Sequence, residues 1–453
     1  MRNATITIAL GLAFLAAPAS ADAGNAVTRS VEQSLDAVRA QNVGTPNAGR
    51  LYAMVTVAMY DAVNGIDRAH RRGRTHALVA PDGAPVNGNR DVAAAAAAHA
   101  VLRGVLRSDQ PPVSDGTLEA ALAAEIAAAG GRDDAGVAAG ADWGEHVGKQ
   151  VLAQRSADGT QSAQTIGTCS RFSDPLVCEP GEFHTSFDAR WRDMTPFGVA
   201  DASAYGSPAP PALDGSAYAV AYDDVRTCGS NSAALDALCA DPTTPAERGE
   251  ISMFWLAEGG TVRETGTFVQ ASLAIVEQQG TVESTSKTAR LFALVGMAIA
   301  DAVKVSWEAK ATYFTWRPTT AIRRAGEDGN AATAPDGSWT SRITPAGGSP
   351  TIGSSPEYNS GTSTFAGAAS AAIEGFYCRP VGFSFQTDMA PHGPRSYANP
   401  LEAAREAGRS RIFQGIHFQF SNEDGRRAGR GIGSEIARTK LLPVNGPRGG
   451  SCG

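Results

Sequence analysis

The sequence predicts a mainly α protein: two helical bundles joined by long irregular connections. Three observations carry this reading. Alanine-rich stretches with helical periodicity recur along the chain, strand signals are sparse, and one helical frame occurs twice at an offset of 240 residues. In the repeat, Arg50-Leu51-Tyr52-Ala53-Met54-Val55, then Ala58, Asp61, Ala62 and Val63, corresponds to Arg290-Leu291-Phe292-Ala293-Leu294-Val295, then Ala298, Asp301, Ala302 and Val303.

In chain order, residues 1–21 read as a signal peptide. Arg2 is the positive start, residues 6–17 are the apolar stretch, and Ala19-Ser20-Ala21 is the cleavage site. That stretch is too short to span a bilayer, and no later run is long enough. The mature protein is expected to be exported, periplasmic or secreted, with no membrane span. Residues 22–165 are expected to form the N-terminal bundle half, with helices over 91–106, 118–129 and 133–154. Residues 166–247 read as an irregular connection with disulfide-clipped loops. Residues 248–453 form the C-terminal half, with helices over 248–254, 267–278, 288–307, 363–376 and 401–413, so that 22–453 packs as one compact domain. Export makes the even count of six cysteines a disulfide set, and proximity pairs Cys169 with Cys178, Cys228 with Cys239 and Cys378 with Cys452. The formal charge of −7 speaks against non-specific nucleic-acid binding, so basic residues gathered in one place are local and functional. Asp61 and Asp301 occupy equivalent places in the repeat. Both read as buried structural carboxylates paired with an arginine or a helix end.

Three short segments in the last third can hold one oxyanion. Lys310 and Arg317 lie seven residues apart, about 700° of helix and so nearly one face, and Pro318 ends the helix between them. Taken alone, the pair also fits a solvated helix C-terminus. Ser360-Gly361-Thr362 precedes a small-residue helix, where hydroxyls cap and free N–H groups bind anions. Arg411 and His417 would point about 120° apart on a helix and can meet only if Gly415 breaks it. Each segment is weak alone. Jointly they offer three cations, a backbone cradle and an imidazole.

The order of these segments resembles that of the vanadium-dependent haloperoxidases and the related type 2 phosphatidic acid phosphatase superfamily. The resemblance rests on Ala298 to Asp301, Ser306-Trp307-Glu308-Ala309-Lys310, Trp316-Arg317-Pro318, Pro356-Glu357-Tyr358 with Ser360-Gly361, and Ser410-Arg411-Ile412-Phe413 with Gly415-Ile416-His417-Phe418. Weaker similarity extends it over most of the mature chain. It implies a paired helical-bundle fold of the haloperoxidase and acid phosphatase type, with the site in the second bundle. It implies that His417 bonds the vanadium of bound vanadate or, in a phosphatase, attacks phosphorus. Lys310, Arg317 and Arg411 offset the charge, and Ser360 and the Gly361 N–H donate further bonds. As a haloperoxidase, the protein would use vanadate as cofactor. Hydrogen peroxide and halide would be its substrates, with a small organic acceptor and with Lys310 polarising the activated oxygen.

The family places an acid–base histidine where this chain has Thr362, whose hydroxyl cannot take a proton near neutral pH. His392 is the candidate replacement. Ser355, seven residues before Thr362, occupies a halide-contact position where an aromatic is expected, and Trp307 fits a halide-side wall. The sequence therefore predicts an exported vanadate-dependent haloperoxidase-like oxidoreductase. The alternatives are a secreted acid phosphatase on soluble phosphoesters, without cofactor, and a catalytically weakened phosphate or vanadate binder.

Overall fold

The structure is a computed structural model and describes residues 24–70, 73–106, 115–167 and 178–444. The signal peptide expected at 1–21, Cys169 and Cys452 lie outside the described residues. The described part is mainly helical, as expected. Helices α1 (Ala26–Ala40), α2 (Thr45–Ala69), α3 (Arg90–Val105), α4 (Asp115–Ala128) and α5 (Ala135–Arg155) come first. Helices α6 (Ser216–Cys228), α7 (Ala233–Asp236), α8 (Pro245–Phe254), α9 (Arg263–Gln278), α10 (Thr285–Tyr313), α11 (Pro318–Arg323), α12 (Gly361–Tyr377), α13 (Pro400–Phe413) and α14 (Gln419–Thr439) follow. Two short antiparallel hairpins complete the set: β1 (Thr165–Ile166) with β2 (Phe187–Asp188), and β3 (Phe383–Phe385) with β4 (Arg395–Tyr397).

In the first half, α2, α3 and α5 pack on one another; in the second, α12 packs on α10, α13 and α14. The long helices α2 and α10 pack together, and one hydrophobic core runs through both halves. No helix of the described residues is long and apolar enough to cross a membrane. Cys228 and Cys239 are bonded as expected. Cys178 and Cys378 are also disulfide-bonded.

Helices α1, α6, α7, α11 and α14 lie outside the spans expected from periodicity. The reason is clearest in α14, whose Gly425, Gly429 and Gly433 lower intrinsic helix propensity. The same glycines face α12. A Cβ at Gly425 would come within 2.7 Å of the Ser360 carbonyl, and Gly429 and Gly433 abut the Thr364 and Ala368 carbonyls. The stripe lets α14 lie directly on α12 and so fixes the helix whose N-terminus borders the site.

The repeated carboxylates are both fully buried, but their partners differ from the expectation. Asp61 accepts from the backbone N–H groups of Ala77 (2.7 Å), Leu78 (2.9 Å) and Val79 (2.8 Å). Asp301 accepts from Phe197 (2.6 Å), Gly198 (2.8 Å) and Val199 (2.8 Å). Neither is held by an arginine or a helix end. Three successive N–H groups of a loop converge on each carboxylate and satisfy it without a counter-charge. Burial raises both carboxyls to about 6, and the N–H donors pull the other way.

Candidate oxyanion site

Helix α10 delivers Lys310 in its last turn and stops at Phe314, which takes the left-handed conformation (φ 46°). Pro318 opens α11, leaving Arg317 extended as its N-cap. The helix thus ends between the two cations, as expected. Helix α12 starts at Gly361 with Ser360 as N-cap. Gln414 caps α13, and Gly415 then turns the chain at φ +78°, where a Cβ would sit 2.5 Å from the Gly229 carbonyl. That turn swings His417 back beside Arg317.

These elements converge on one cavity of about 660 Å³, lined by Lys310, Arg317, Gly361, Thr362, Arg411 and His417. Phe187, Trp191, Trp307 and Phe365 form its aromatic wall. Arg317 is held from several sides. Its Nε donates to the Ser355 carbonyl (2.8 Å), its Nη2 to Ser355 Oγ (3.1 Å), and its Nη1 to the Ile416 carbonyl (2.8 Å) and to His417 Nε2 (3.0 Å). Lys310 Nζ donates to the Pro356 (2.5 Å) and Glu357 (3.3 Å) carbonyls. Among the described residues Arg411 reaches only the Trp255 carbonyl, at 3.5 Å, and its buried Nε has no hydrogen-bond partner there. None of the three cations forms an ion pair with a carboxylate among the described residues.

Burial is the first cause acting on every one of these groups. It holds Lys310 well below the ordinary lysine range, with Arg317 adding to the shift, and lowers Arg317 to about 10. Arg411 is also lowered. His417 is held well below the usual histidine value by burial, then by Arg317, Lys310 and Arg411. Three buried cations that form no ion pair among the described residues, beside a neutral imidazole, make a site that an anion would stabilise.

One site residue went unrecognised in the sequence as more than flanking motif. Glu357 is fully buried, and its Oε1 lies 2.8 Å from His417 Nδ1 while accepting from the Phe418 N–H at 3.0 Å. Arg317 Nη1 can only donate, so His417 Nε2 is the acceptor and the ring proton sits on Nδ1, toward Glu357. The carboxyl therefore fixes the tautomer that leaves an Nε2 lone pair facing the cations. Burial raises Glu357 to about 7, against the Phe418 N–H and the Arg317 charge. The signal available in the sequence was an acidic residue directly before the Ser360-Gly361 segment.

The remaining expected residues divide. Thr362 is buried and lines the cavity. Ser360 does not line it. Its Oγ accepts from the Ser363 N–H (3.4 Å) and Ser363 Oγ (2.9 Å), so the hydroxyl is engaged as a helix cap. Trp307 lines the cavity with its Nε1 donating to the Asp188 carbonyl (3.1 Å). Ser355 also lines it, with its hydroxyl directed to Arg317. His392 is not a replacement for the missing histidine. It is 70% exposed, 3.9 Å from Glu250, and outside the cavity, because the segment that carries it runs from β3 to β4 on the side of α8.

A family model described as the VCPO second helical-bundle domain matches residues 290–446. Among solved structures, a bacterial vanadium-dependent iodoperoxidase is similar at 20% identity and TM-score 0.72, over 93% of this chain and 98% of that one. A holo-type bacterial vanadium-dependent chloroperoxidase is similar at 14% identity and TM-score 0.62, over 87% and 92%. An apo-type chloroperoxidase gives 15% identity and TM-score 0.61, over 87% and 94%. Curated protein sequences gave no match.

Proposed function

We propose that this chain, a member of the vanadium haloperoxidase family by its matched second bundle and its fold, binds vanadate in the cation-lined cavity and oxidises halide with hydrogen peroxide. The observation that carries the reading is the set Lys310, Arg317 and Arg411, buried together and, among the described residues, with no carboxylate ion pair and with the Arg411 Nε unsatisfied. The donor set fits an oxyanion and not a bare cation. Vanadate, when bound, would supply a Lewis acid that activates peroxide without changing its own oxidation state. His417 would hold it through Nε2, with Glu357 fixing the ring from behind. Lys310, Arg317, Arg411 and the Gly361 N–H would offset and orient its oxygens. Trp307 and Phe365 exclude water from one side of the cavity, and halide would enter along that wall. Hypohalous acid would then pass to a small organic acceptor. The aromatic expected beside the halide is replaced by Ser355, whose hydroxyl serves Arg317 instead.

The bonded cysteines support an exported protein, to which the leader at residues 1–21 would direct it. A phosphate or vanadate binder is the second reading, favoured by Thr362, since phosphoester cleavage needs an acid for the leaving alkoxide.

The test is reconstitution of the purified chain with vanadate. Halide oxidation by peroxide and phosphoester hydrolysis without vanadate are then assayed side by side. Iodide, bromide or chloride oxidation is the expected result, with negligible hydrolysis. Bound vanadate without halide oxidation at any pH from acidic to neutral would leave only the binder.

A further inference from the structure

The turn that delivers His417 is seated on a mount outside the cavity. A Cβ on Gly415 would sit 2.5 Å from the Gly229 carbonyl and 2.8 Å from Ser341 Cβ. A Cβ on Gly229 would in turn run into the Ile412 carbonyl and sit 2.6 Å from Gly415 Cα. Gly229 has an ordinary negative φ of −101°, so the position requires the absence of a side chain and not a special backbone. Three backbone segments meet here, and Arg342 ties them together. Its N–H donates to the Gly229 carbonyl at 2.7 Å. Its Nη2 donates to the Cys228 carbonyl (2.9 Å) and to Asp236 Oδ1 (2.6 Å), and its Nε to the Phe413 carbonyl (2.9 Å). Phe413 is the last residue of α13, two before Gly415, so the guanidinium satisfies a helix C-terminal carbonyl at the turn itself. Among the described residues no other side chain bonds that carbonyl. The mount is closed on itself. The Cys228–Cys239 disulfide ties off the loop that carries Gly229 and Asp236, and Arg248 of α8 holds Asp236 Oδ1 at 2.8 Å.

We propose that Arg342 is a positioning residue for oxyanion binding, acting on His417 through the Phe413 carbonyl and the Gly415 turn. The inference rests on the haloperoxidase reading. Arg342 is half-buried and does not line the cavity, so it touches neither the oxyanion nor the ring. Its effect is geometric. His417 must present Nε2 to the oxyanion while Nδ1 stays 2.8 Å from Glu357 Oε1, and a small shift of the turn spoils one alignment or the other. Two further contacts hold the flanks of the turn: Gln414 Nε2 donates to the Ser252 carbonyl (2.7 Å), and Arg317 Nη1 to the Ile416 carbonyl (2.8 Å). Neither reaches the end of α13, where the direction of the turn is set. Arg342 holds that end against Gly229, and the disulfide-closed loop gives it a fixed surface to hold against.

The experiment uses two variants that disturb the mount in different ways. Arg342→Met removes the donors and leaves Asp236 paired with Arg248. Gly229→Ala keeps every donor and pushes a methyl against the turn. Thermal melting confirms that each is folded at the assay temperature. Calorimetry then measures the affinity for vanadate and, separately, for sulfate, which the cations would hold without a bond to the ring. Vanadate is expected to bind about 10- to 100-fold more weakly to each variant, as is usual when the support behind a ligand is lost, and sulfate to weaken much less. The second readout needs no ligand. The buried Nδ1–H of His417, bonded to Glu357, should give a far-downfield proton resonance, assigned by its loss in His417→Ala, and both variants should shift or lose it. A resonance unmoved in both variants overturns the proposal. So does vanadate affinity that is unchanged or that falls only in step with sulfate affinity. If wild type itself binds no vanadate, the parent reading fails instead, and the ring resonance alone decides whether Arg342 positions His417.

Discussion

Helices α2 and α10 share one sequence frame, yet only α10 leads into a site. Helix α2 ends at Ala69 with His70 as its cap, and His70 is the position equivalent to Lys310. Helix α10 continues to Tyr313 and carries Lys310 into the cavity. The difference lies in where each clamp comes from. Asp61 is held by residues 77–79, so the chain must fold back as soon as α2 ends. Asp301 is held by residues 197–199, far earlier in the chain. The segment after α10 is thereby free to place Arg317 and, further on, Ser355 and Glu357. Where an earlier loop meets the structural need, the sequence after the helix is released for chemistry.

The sharpest way to break this comparison is to delete the divergent position in each half. Lys310→Met is expected to lower halide oxidation by about 10² to 10³, the usual loss for one oxyanion donor. His70→Met, on the exposed end of α2, should change neither turnover nor vanadate binding. Lys310→Met should also leave the anion-free protein as stable as wild type or more so, because it removes a buried charge that forms no ion pair among the described residues. The thermal shift caused by vanadate should shrink at the same time. Steady-state kinetics and melting with and without vanadate read both effects. A comparable loss on changing His70 would mean that the two helix ends are not functionally distinct.

Much of this was legible in the sequence because the signals were local. Pro318 after Arg317, hydroxyls before α12 and a glycine between Arg411 and His417 each fix a backbone break, and each break occurs where they place it. The repeat also identified both buried aspartates from position alone. What was not legible depended on contacts between distant segments. The clamp donors lie 16 to 18 residues from Asp61 but 102 to 104 from Asp301, and no local pattern marks them. Helix α14 was hidden because the glycines that let it pack on α12 weaken the helical signal. His392 was an attractive candidate by sequence distance and an exposed residue in space.

The clamps allow a second, smaller test. Each carboxyl is raised from 3.8 to about 6, so the folded state holds its proton more tightly than the unfolded chain. Their contribution to stability is therefore full below about pH 4 and is lost as pH rises through about 6. Asp61→Asn and Asp301→Asn should each remove that slope, on the order of 1 to 3 kcal/mol between the two limits. Denaturant titrations at several pH values measure it as the difference from wild type. Equal slopes for the two variants would establish that the halves differ in the source of the clamp and not in its physics. A slope unchanged from wild type in either variant would contradict the assignment for that carboxyl.

The smallest effect lies where the two helices cross. Gly296 and Thr56 are equivalent positions of the repeat, and they face each other. A Cβ at Gly296 would press on the Thr56 hydroxyl and approach Ala53 Cα at 3.1 Å. Gly296→Ala gains about 1 kcal/mol of helix propensity but overpacks the crossing by about 1 to 3 kcal/mol, for a net loss of about 0 to 2 kcal/mol. Thr56→Ala alone removes a hydroxyl that bonds the Tyr52 carbonyl at 2.8 Å within its own helix, and should lose about 0.5 to 1 kcal/mol. Combining the two makes room for the new methyl, so the double variant should be more stable than the sum of the singles, by about 1 kcal/mol in a double-mutant cycle. A purely additive result would mean that the helices can slide apart at this point. The register that carries Lys310 to the cavity would then have to be set elsewhere, by the Asp301 clamp.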